Sequence, residues 1–286
     1  MKAIQDTELI ITKEKKIYHL NLDKNQIADD IVLVGDQDRV NQISKHFQEI
    51  TDKIQHREFV THTGIYKGKR ITALSTGIGC DNIDIVVNEL DALVNIDFES
   101  RTINSEKKSL NLIRLGTSGA LQADIAVDSF LMSEYALGFD GLAHFHEDDT
   151  CINKNMTNAF LQYSDWPQKL SQPYIVKASK NLLKKFNGFA QGITATASGF
   201  YAPQGREVRL QSSIDNMHET LTSFNYDGNK IINFEMESSA LYYLGQTLGH
   251  NTLTICAIIG NRINKTQSSN YKSTVDKLII EVLERI

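Results

Sequence analysis

Five apolar runs in this chain each end in a glycine: IVLVG (to Gly35), ITALSTG (to Gly77), LIRLG (to Gly116), ITATASG (to Gly199) and LTICAIIG (to Gly260). Each is short and rich in β-branched residues, and polar residues follow, so each reads as a buried strand opening into a turn. A buried strand that stops at glycine lets the backbone turn sharply or approach a ligand closely. In open α/β sheets, ligands sit beyond the carboxyl ends of the strands. Five such ends imply one rim holding a small molecule. Beside the glycines stand Arg39, Arg114, Thr117, Gln204, Arg206 and Arg262, which suit an anion and a polar ring.

The rest of the chain narrows the choices. Its 286 residues fit one large α/β domain or two smaller ones. A net charge of −5 argues against a nucleic-acid binder, which needs a basic face. Arginines clustered within an acidic chain fit a small anionic substrate better. No run approaches the roughly 20 apolar residues that span a bilayer, and the first residues, MKAIQDTELIITKEKK, do not pattern as a signal peptide. Three widely spaced cysteines (Cys80, Cys151, Cys256) lack metal-ligand spacing and suit a reducing cytoplasm.

Helical periodicity separates most of the strands. Val40, Ile43 and Phe47 share a face after Gly35, with Asp36 or Asp38 available as cap. Ile83, Val86, Val87, Leu90 and Val94 form a second apolar face, and Val275, Leu278, Ile279, Val282 and Ile286 a third. Parallel strands require such connections. Segments 96–109 and 141–172 are polar and read as irregular surface excursions. With no repeat, linker or composition break, residues 1–286 read as one α/β domain.

Four segments carry chemistry. In Gly35-Asp36-Gln37-Asp38-Arg39, a strand, a glycine turn and a helix start can offer backbone N–H groups to an anion; an arginine paired with its neighbouring aspartates on the surface is the plainer reading. In Arg114-Leu115-Gly116-Thr117-Ser118-Gly119, the arginine interrupts a run that otherwise looks fully buried. A buried guanidinium needs carboxylates or a bound anion, and its planar fork suits phosphate; a bridge to Glu235 or Glu237 is the alternative. In Asn233-Phe234-Glu235-Met236-Glu237-Ser238, two carboxylates flank a thioether, able to bind vicinal hydroxyls and wall a sugar face, or simply to favour a helix N-terminus. Phe200-Tyr201-Ala202-Pro203-Gln204-Gly205-Arg206 can stack on a planar ring and bond its edge, or be an ordinary proline loop. His19, His56 and His62 stand in polar surroundings. No metal cluster or GxSxG nucleophile motif occurs.

In this order, the pieces IYHLNL, IVLVGDQDRV, HREFVTHTG, ALSTGIG, LIRLGTSGALQ, FYAPQGR, NFEMESSAL and IGNRI resemble the nucleoside phosphorylases, and among them the uridine phosphorylases, from about Ile17 onward. The resemblance implies an α/β/α fold in which helices flank a central mixed β-sheet. It implies a phosphate site at Gly35, Arg39, Arg114 and Thr117, completed by Arg57 from a neighbouring subunit. The ribose would meet Glu235, Met236 and Glu237, with His19 reaching over from that neighbour to the 5′-hydroxyl. Phe200, Gln204, Arg206 and Arg262 match the base pocket. Glu58 and Ile78 match a monovalent-cation site, potassium for example, although Asn82 stands where serine is usual.

The implied reaction is reversible phosphorolysis of uridine or a related pyrimidine nucleoside, with phosphate as co-substrate and no organic cofactor. The catalytic set would be Arg114, Thr117, Gln204, Arg206 and Glu237. A homodimer would be the smallest active unit, with a hexamer as the larger option, acting on small molecules rather than nucleic acid or membrane. Three alternatives stay open: a purine nucleoside phosphorylase, a nucleosidase on the same fold, and a nucleoside-binding protein without turnover. Purine-cleaving relatives carry an acidic residue where this chain has Asn261.

Overall fold

The computed structural model describes residues 3–286. Its strands are β1 (Asp30–Val34), β2 (Glu49–His56), β3 (Phe59–Tyr66), β4 (Lys69–Ser75), β5 (Ile96–Asp97), β6 (Thr102–Ile103), β7 (Asn111–Ala120), β8 (Phe130–Gly138), β9 (Tyr174–Lys177), β10 (Ala190–Thr196), β11 (Asn225–Tyr226), β12 (Asn229–Glu235), β13 (Asn251–Asn261) and β14 (Thr266–Gln267). Between them lie helices α1 (Gln37–Ser44), α2 (Cys80–Asn95), α3 (Lys154–Ser164), α4 (Lys180–Lys185), α5 (Met217–Ser223), α6 (Ser238–Thr247) and α7 (Tyr271–Leu283).

One mixed sheet of twelve strands runs β11-β12-β10-β8-β13-β7-β1-β4-β3-β2, with β9 on β8 and β14 on β13. β1 lies parallel to both β4 and β7, and β13 is parallel to β7. β8, β10 and β12 form a second parallel group. The groups meet antiparallel where β13 pairs with β8 and where β12 pairs back onto β7, Asn233 opposite Ala120 and Phe234 opposite Gly119. That last pairing closes β7, β13, β8, β10 and β12 into a ring. It brings the carboxyl ends of β7 and β12 to one point, although some 115 residues separate Ser118 from Asn233, whose side chains hydrogen-bond there.

Helices cover the sheet where the periodicity places them. Ile83, Val86, Val87 and Leu90 of α2 are fully buried, as are Val40 and Ile43 of α1 and Ile279 and Val282 of α7. Asp36 caps α1 by accepting the Asp38 N–H at 3.0 Å, satisfying one of the donors a helix start leaves free. α6 is buried almost all round, from Ser238 to Gly245, and packs between α2 and the sheet.

Three sequence expectations are corrected. Gly116 and Gly260 do not end strands: β7 continues to Ala120, and β13 to Asn261 through a bulge between Ile258 and Gly260. Segment 141–172 is not irregular, because α3 lies inside it and buries Met156 and Phe160. Its neighbour Trp166 stacks on Phe139, ring centroids 4.7 Å apart. Segment 96–109 forms the β5–β6 hairpin, whose Arg101 binds the chain's beginning through the Ile4 and Leu9 carbonyls. Among the described residues, no helix is long and apolar enough to cross a membrane.

Candidate active site

A cleft of about 1690 Å³ opens where the ends of β1, β4, β7, β12 and β13 converge. Gly35, Arg39, Arg114, Thr117, Phe200, Gln204, Arg206, Glu235, Met236, Glu237 and Arg262 all line it. The strand-end segments singled out by the sequence are therefore gathered into one site.

One end is electropositive. Gly35 leads into the α1 N-terminus, and its back is closed by Gly77, whose carbonyl lies 3.3 Å from where a Cβ on Gly35 would stand. Arg39 projects from the first turn of α1 and donates from Nη1 to the Leu115 carbonyl at 3.3 Å. Burial, and then the nearby Arg114 charge, lowers its pKa, though a guanidinium stays protonated throughout the working range. Two arginines, a helix start and Thr117 thus line one volume, an arrangement that favours an anion.

Arg114 makes the carboxylate bridge that the sequence left open, and lines the cleft as well. Nη2 donates to Glu237 Oε2, while Nη1 lies 3.2 Å from Glu235 Oε2, in ion-pair contact but out of hydrogen-bond alignment. Nε has no protein partner. Burial works to lower the Arg114 pKa, but Glu237 and then Glu235 outweigh it, so the group stays cationic. Burial pushes the Glu237 carboxyl up against the pull of Arg114, with the Glu235 charge adding to the rise.

The two glutamates have different work. Glu235 ends β12 and is saturated: it accepts from Thr196 Oγ1 at 2.6 Å, the Glu237 N–H at 3.1 Å and the Ser238 N–H at 3.1 Å. It ties β10 to the start of α6. Glu237 is the N-cap residue of α6 and accepts from the Gly79 N–H at 2.9 Å, from the Met236 N–H at 3.2 Å and from Arg114, which leaves about one acceptor position free. A carboxylate has about four acceptor positions, so Glu237 retains capacity toward the cleft. Gly79, at φ 100°, aims its N–H at Glu237 from the turn before α2; the sequence had marked that turn only as a strand end.

At the opposite end, a 3-10 turn at Ala202–Gln204 buries Gln204, 3% exposed, beneath two arginines. Arg206 Nη1 donates to Gln204 Oε1 at 2.5 Å, and Arg262 Nη2 donates to the same oxygen at 2.7 Å. Guanidiniums only donate, so the atom they share is the amide oxygen and the Gln204 NH2 is left to donate elsewhere. The Arg206 guanidinium lies 3.7 Å above the Phe200 ring, and Arg262 lies 5.4 Å from that of Phe234. Burial, then the Arg206 charge, lowers the Arg262 pKa to about 10, still cationic at neutral pH. Phe234 and His218 also line this end. Phe234 lies within the Asn233–Ser238 segment marked in the sequence, though without a role of its own there; His218, in an ordinary helical turn, carries no sequence signal.

His19 and Arg57 stand apart from the cleft and close to each other. Arg57 occupies the β2–β3 turn at φ 54°, donates to Tyr18 Oη at 3.2 Å and lies 5.4 Å from that ring. His19 Nδ1 lies 2.6 Å from buried Glu89 Oε1, whose carboxylate also accepts the His19 and Leu20 N–H groups. His56 Nδ1 binds the His19 carbonyl at 2.8 Å. His62, expected in polar surroundings, is buried against Ser44 Oγ at 2.8 Å.

Glu58, Ile78 and Asn82 share the cleft's rim. One chain contributes a single carboxylate there, and the Glu58 carbonyl already accepts from Gln37 Nε2 at 2.8 Å. Those donors fall short of an oxygen shell for a hard cation within one chain.

Comparison with known proteins places this geometry in context. The family model described as "Phosphorylase superfamily" matches residues 29–284. A uridine phosphorylase of Thermococcus kodakarensis is 28% identical over 88% of this chain and 80% of its own. A DeoD-type purine nucleoside phosphorylase of Brevibacillus brevis is 28% identical over 93% of this chain and 97% of its own. Among solved structures, a Trypanosoma brucei nucleoside phosphorylase described as showing uridine phosphorylase activity superposes with a TM-score of 0.87, at 28% identity, over 97% of this chain and 98% of its own. With the phosphorylase-superfamily model matching 29–284 of its 286 residues, and the fold superposing throughout on a nucleoside phosphorylase, this chain belongs to the phosphorylase superfamily.

Proposed function

We propose that the chain catalyses reversible phosphorolysis of uridine or a closely related pyrimidine nucleoside, giving free base and ribose 1-phosphate. One observation carries the reading: a single cleft has a cationic anion end, a carboxylate–thioether middle and a base end where two guanidiniums converge on the Gln204 amide. Phosphate binds Arg39, Arg114, Thr117 and the backbone at Gly35. Glu237 accepts the ribose 2′- and 3′-hydroxyls, and Met236 walls the sugar face. The phosphate oxygen attacks C1′ as the glycosidic bond loosens, and correct placement of the nucleophile supplies much of the rate. Negative charge grows on the departing base, where Gln204 Nε2, Arg206 and Arg262 donate to its carbonyl oxygens.

Two copies complete the site, each lending His19 and Arg57 to the other's cleft, so a homodimer is the minimal active unit and a hexamer the larger option. Glu58 and Ile78 of two adjoining copies would offer a monovalent cation twice the donors of one; no catalytic step depends on it. The chain works as one domain on soluble metabolites in the cytoplasm.

Relatives of both pyrimidine and purine type match at similar identity, so preference rests on the base end. Asn261 stands where purine cleavage calls for an acid. It is locked: Nδ2 donates to the Gln122 and Ile125 carbonyls at 2.9 and 2.8 Å, and Oδ1 accepts the Ile263 and Asn264 N–H groups. An amide with both ends committed to backbone does not protonate a purine. Measuring kcat/KM for uridine and inosine with saturating phosphate tests the assignment. Uridine is expected to lead by at least tenfold; a lead for inosine would reverse it.

A further inference from the structure

Glu89 is a charged residue placed where the apolar face of α2 would be expected to continue. Val86, Val87, Leu90 and Leu93 around it are buried, and Glu89 is buried with them. A buried carboxylate is costly unless hydrogen bonds replace its water. The donors that meet it belong to one two-residue stretch: the His19 N–H at 2.9 Å, the Leu20 N–H at 2.8 Å and His19 Nδ1 at 2.6 Å.

Docking that stretch does not require a carboxylate. Ile17, Leu20 and Leu22 are fully buried, and the turn they form closes through the Ile17 N–H to the Leu22 carbonyl at 2.9 Å and the Asn21 N–H to the Ile17 carbonyl at 3.0 Å. What Glu89 adds is the state of one ring. An ionised carboxylate only accepts, so Nδ1 carries the hydrogen of their contact and Nε2 is the nitrogen left for another partner. The His19 side chain stays 33% exposed, while its carbonyl accepts from His56 Nδ1 at 2.8 Å. The Tyr18 ring meets the His19 ring edge-on, centroids 4.9 Å apart, and Tyr18 Oη accepts from Arg57. The two side chains assigned to the neighbouring cleft thus stand on one bonded unit, with Glu89 as its buried root.

Resting on the shared-site reading above, we infer that Glu89 is a positioning residue that acts across the subunit boundary, fixing the orientation and tautomer with which His19 meets the 5′-hydroxyl of a nucleoside held by the neighbouring copy. Glu89 itself touches no substrate. A ring already held in one rotamer and one tautomer loses less freedom when the nucleoside arrives, so its hydrogen bond counts more fully toward binding. Selection for a 5′-hydroxyl then depends on a helix residue of the other chain.

The test compares uridine with 5′-deoxyuridine, which lacks that hydroxyl, at saturating phosphate. The unaltered enzyme prefers uridine in kcat/KM by about tenfold, the worth of one hydrogen bond. Glu89→Ala lowers uridine kcat/KM by about tenfold, chiefly through KM, and leaves 5′-deoxyuridine within about twofold, so the preference collapses. Glu89→Gln, which keeps an acceptor for the backbone N–H groups and a partner for the ring, recovers part of the preference; it carries the same comparison if Glu89→Ala does not fold. Adding either Glu89 substitution to His19→Ala changes the preference no further. If the Glu89 variants keep the full preference, or depress both substrates alike, while His19→Ala abolishes it, Glu89 only tethers the turn and the positioning role is overturned. If His19→Ala itself keeps the preference, the shared-site assignment of His19 fails and takes the proposal with it. Failure of the unaltered enzyme to cleave uridine would overturn the pyrimidine reading, and would be seen before any variant is made.

Discussion

Gly116→Ala offers a demanding test of how the anion end is built. Gly116 lies inside β7, and a Cβ there would stand 2.4 Å from Arg114 Nη1 and 2.9 Å from Cys256 Sγ. Ordinary contact begins near 3.4 Å, so the guanidinium must move by about 1 Å. An exposed arginine would move freely. Arg114 is 4% exposed and pinned by Glu235 and Glu237, so its shift strains a buried ion cluster. Overpacking of this kind costs about 1–3 kcal/mol of stability, and a ~1 Å misplacement of a positioning group costs ~10²-fold in rate. The assay is steady-state kinetics with phosphate varied at saturating uridine, beside thermal melting. kcat/KM for phosphate should fall about a hundredfold, with Tm lower by about 2–4 °C per kcal/mol lost. Gly119→Ala is the control: its Cβ would meet Arg262 at 3.6 Å, an ordinary contact, and the phosphate terms should hold. A folded Gly116→Ala enzyme with phosphate kcat/KM within about twofold of the unaltered one would refute the assignment of Arg114 to the anion end.

Three further outcomes test other parts of the account. Arg57→Ala and His19→Ala should each lose activity, and subunit exchange between the two inactive proteins should restore some of it; none after verified exchange would rule out shared sites. Asn261→Asp would set a carboxylate against the Gln122 and Ile125 carbonyls, costing about 1–3 kcal/mol in thermal or denaturant unfolding without creating purine cleavage; inosine turnover by a stable variant would contradict the lock. Asp128 accepts from Ser268 Oγ and Thr274 Oγ1, which hold its pKa below 3.8. A depressed carboxylate stabilises the fold above its ordinary pKa and loses that contribution as pH falls through the lower folded value. Asp128→Asn should therefore melt below the unaltered protein at pH 7, and the gap should close as pH falls through and below 3.8; a gap that persists in acid would refute this.

Much of the site was legible because its residues sit beside strand ends that composition and periodicity mark. Arg114 announced itself by interrupting an apolar run, and Glu235-Met236-Glu237 by bracketing a thioether just before an apolar helix. The division of labour between the glutamates was not legible. It depends on Thr196, Gly79 and Arg114, none of them a sequence neighbour. Nor was the closure of β12 on β7, a pairing across more than a hundred residues with no local period. Gly116 and Gly260 misled for the same reason: glycine marks close approach as well as a turn, and at Gly116 the approach is by Arg114. In α3, two buried apolar positions, Met156 and Phe160, were too few to raise a helical signal above a polar surround. His218 shows no signal of its own, since its surroundings come from the Gly205 turn and Arg262.

The most direct test of the central claim is uracil release from uridine by the purified protein, with and without inorganic phosphate, quantifying ribose 1-phosphate alongside. The account predicts release only with phosphate, in equimolar yield with ribose 1-phosphate. Equal release without phosphate, with free ribose as the second product, would contradict it and make the chain a hydrolase.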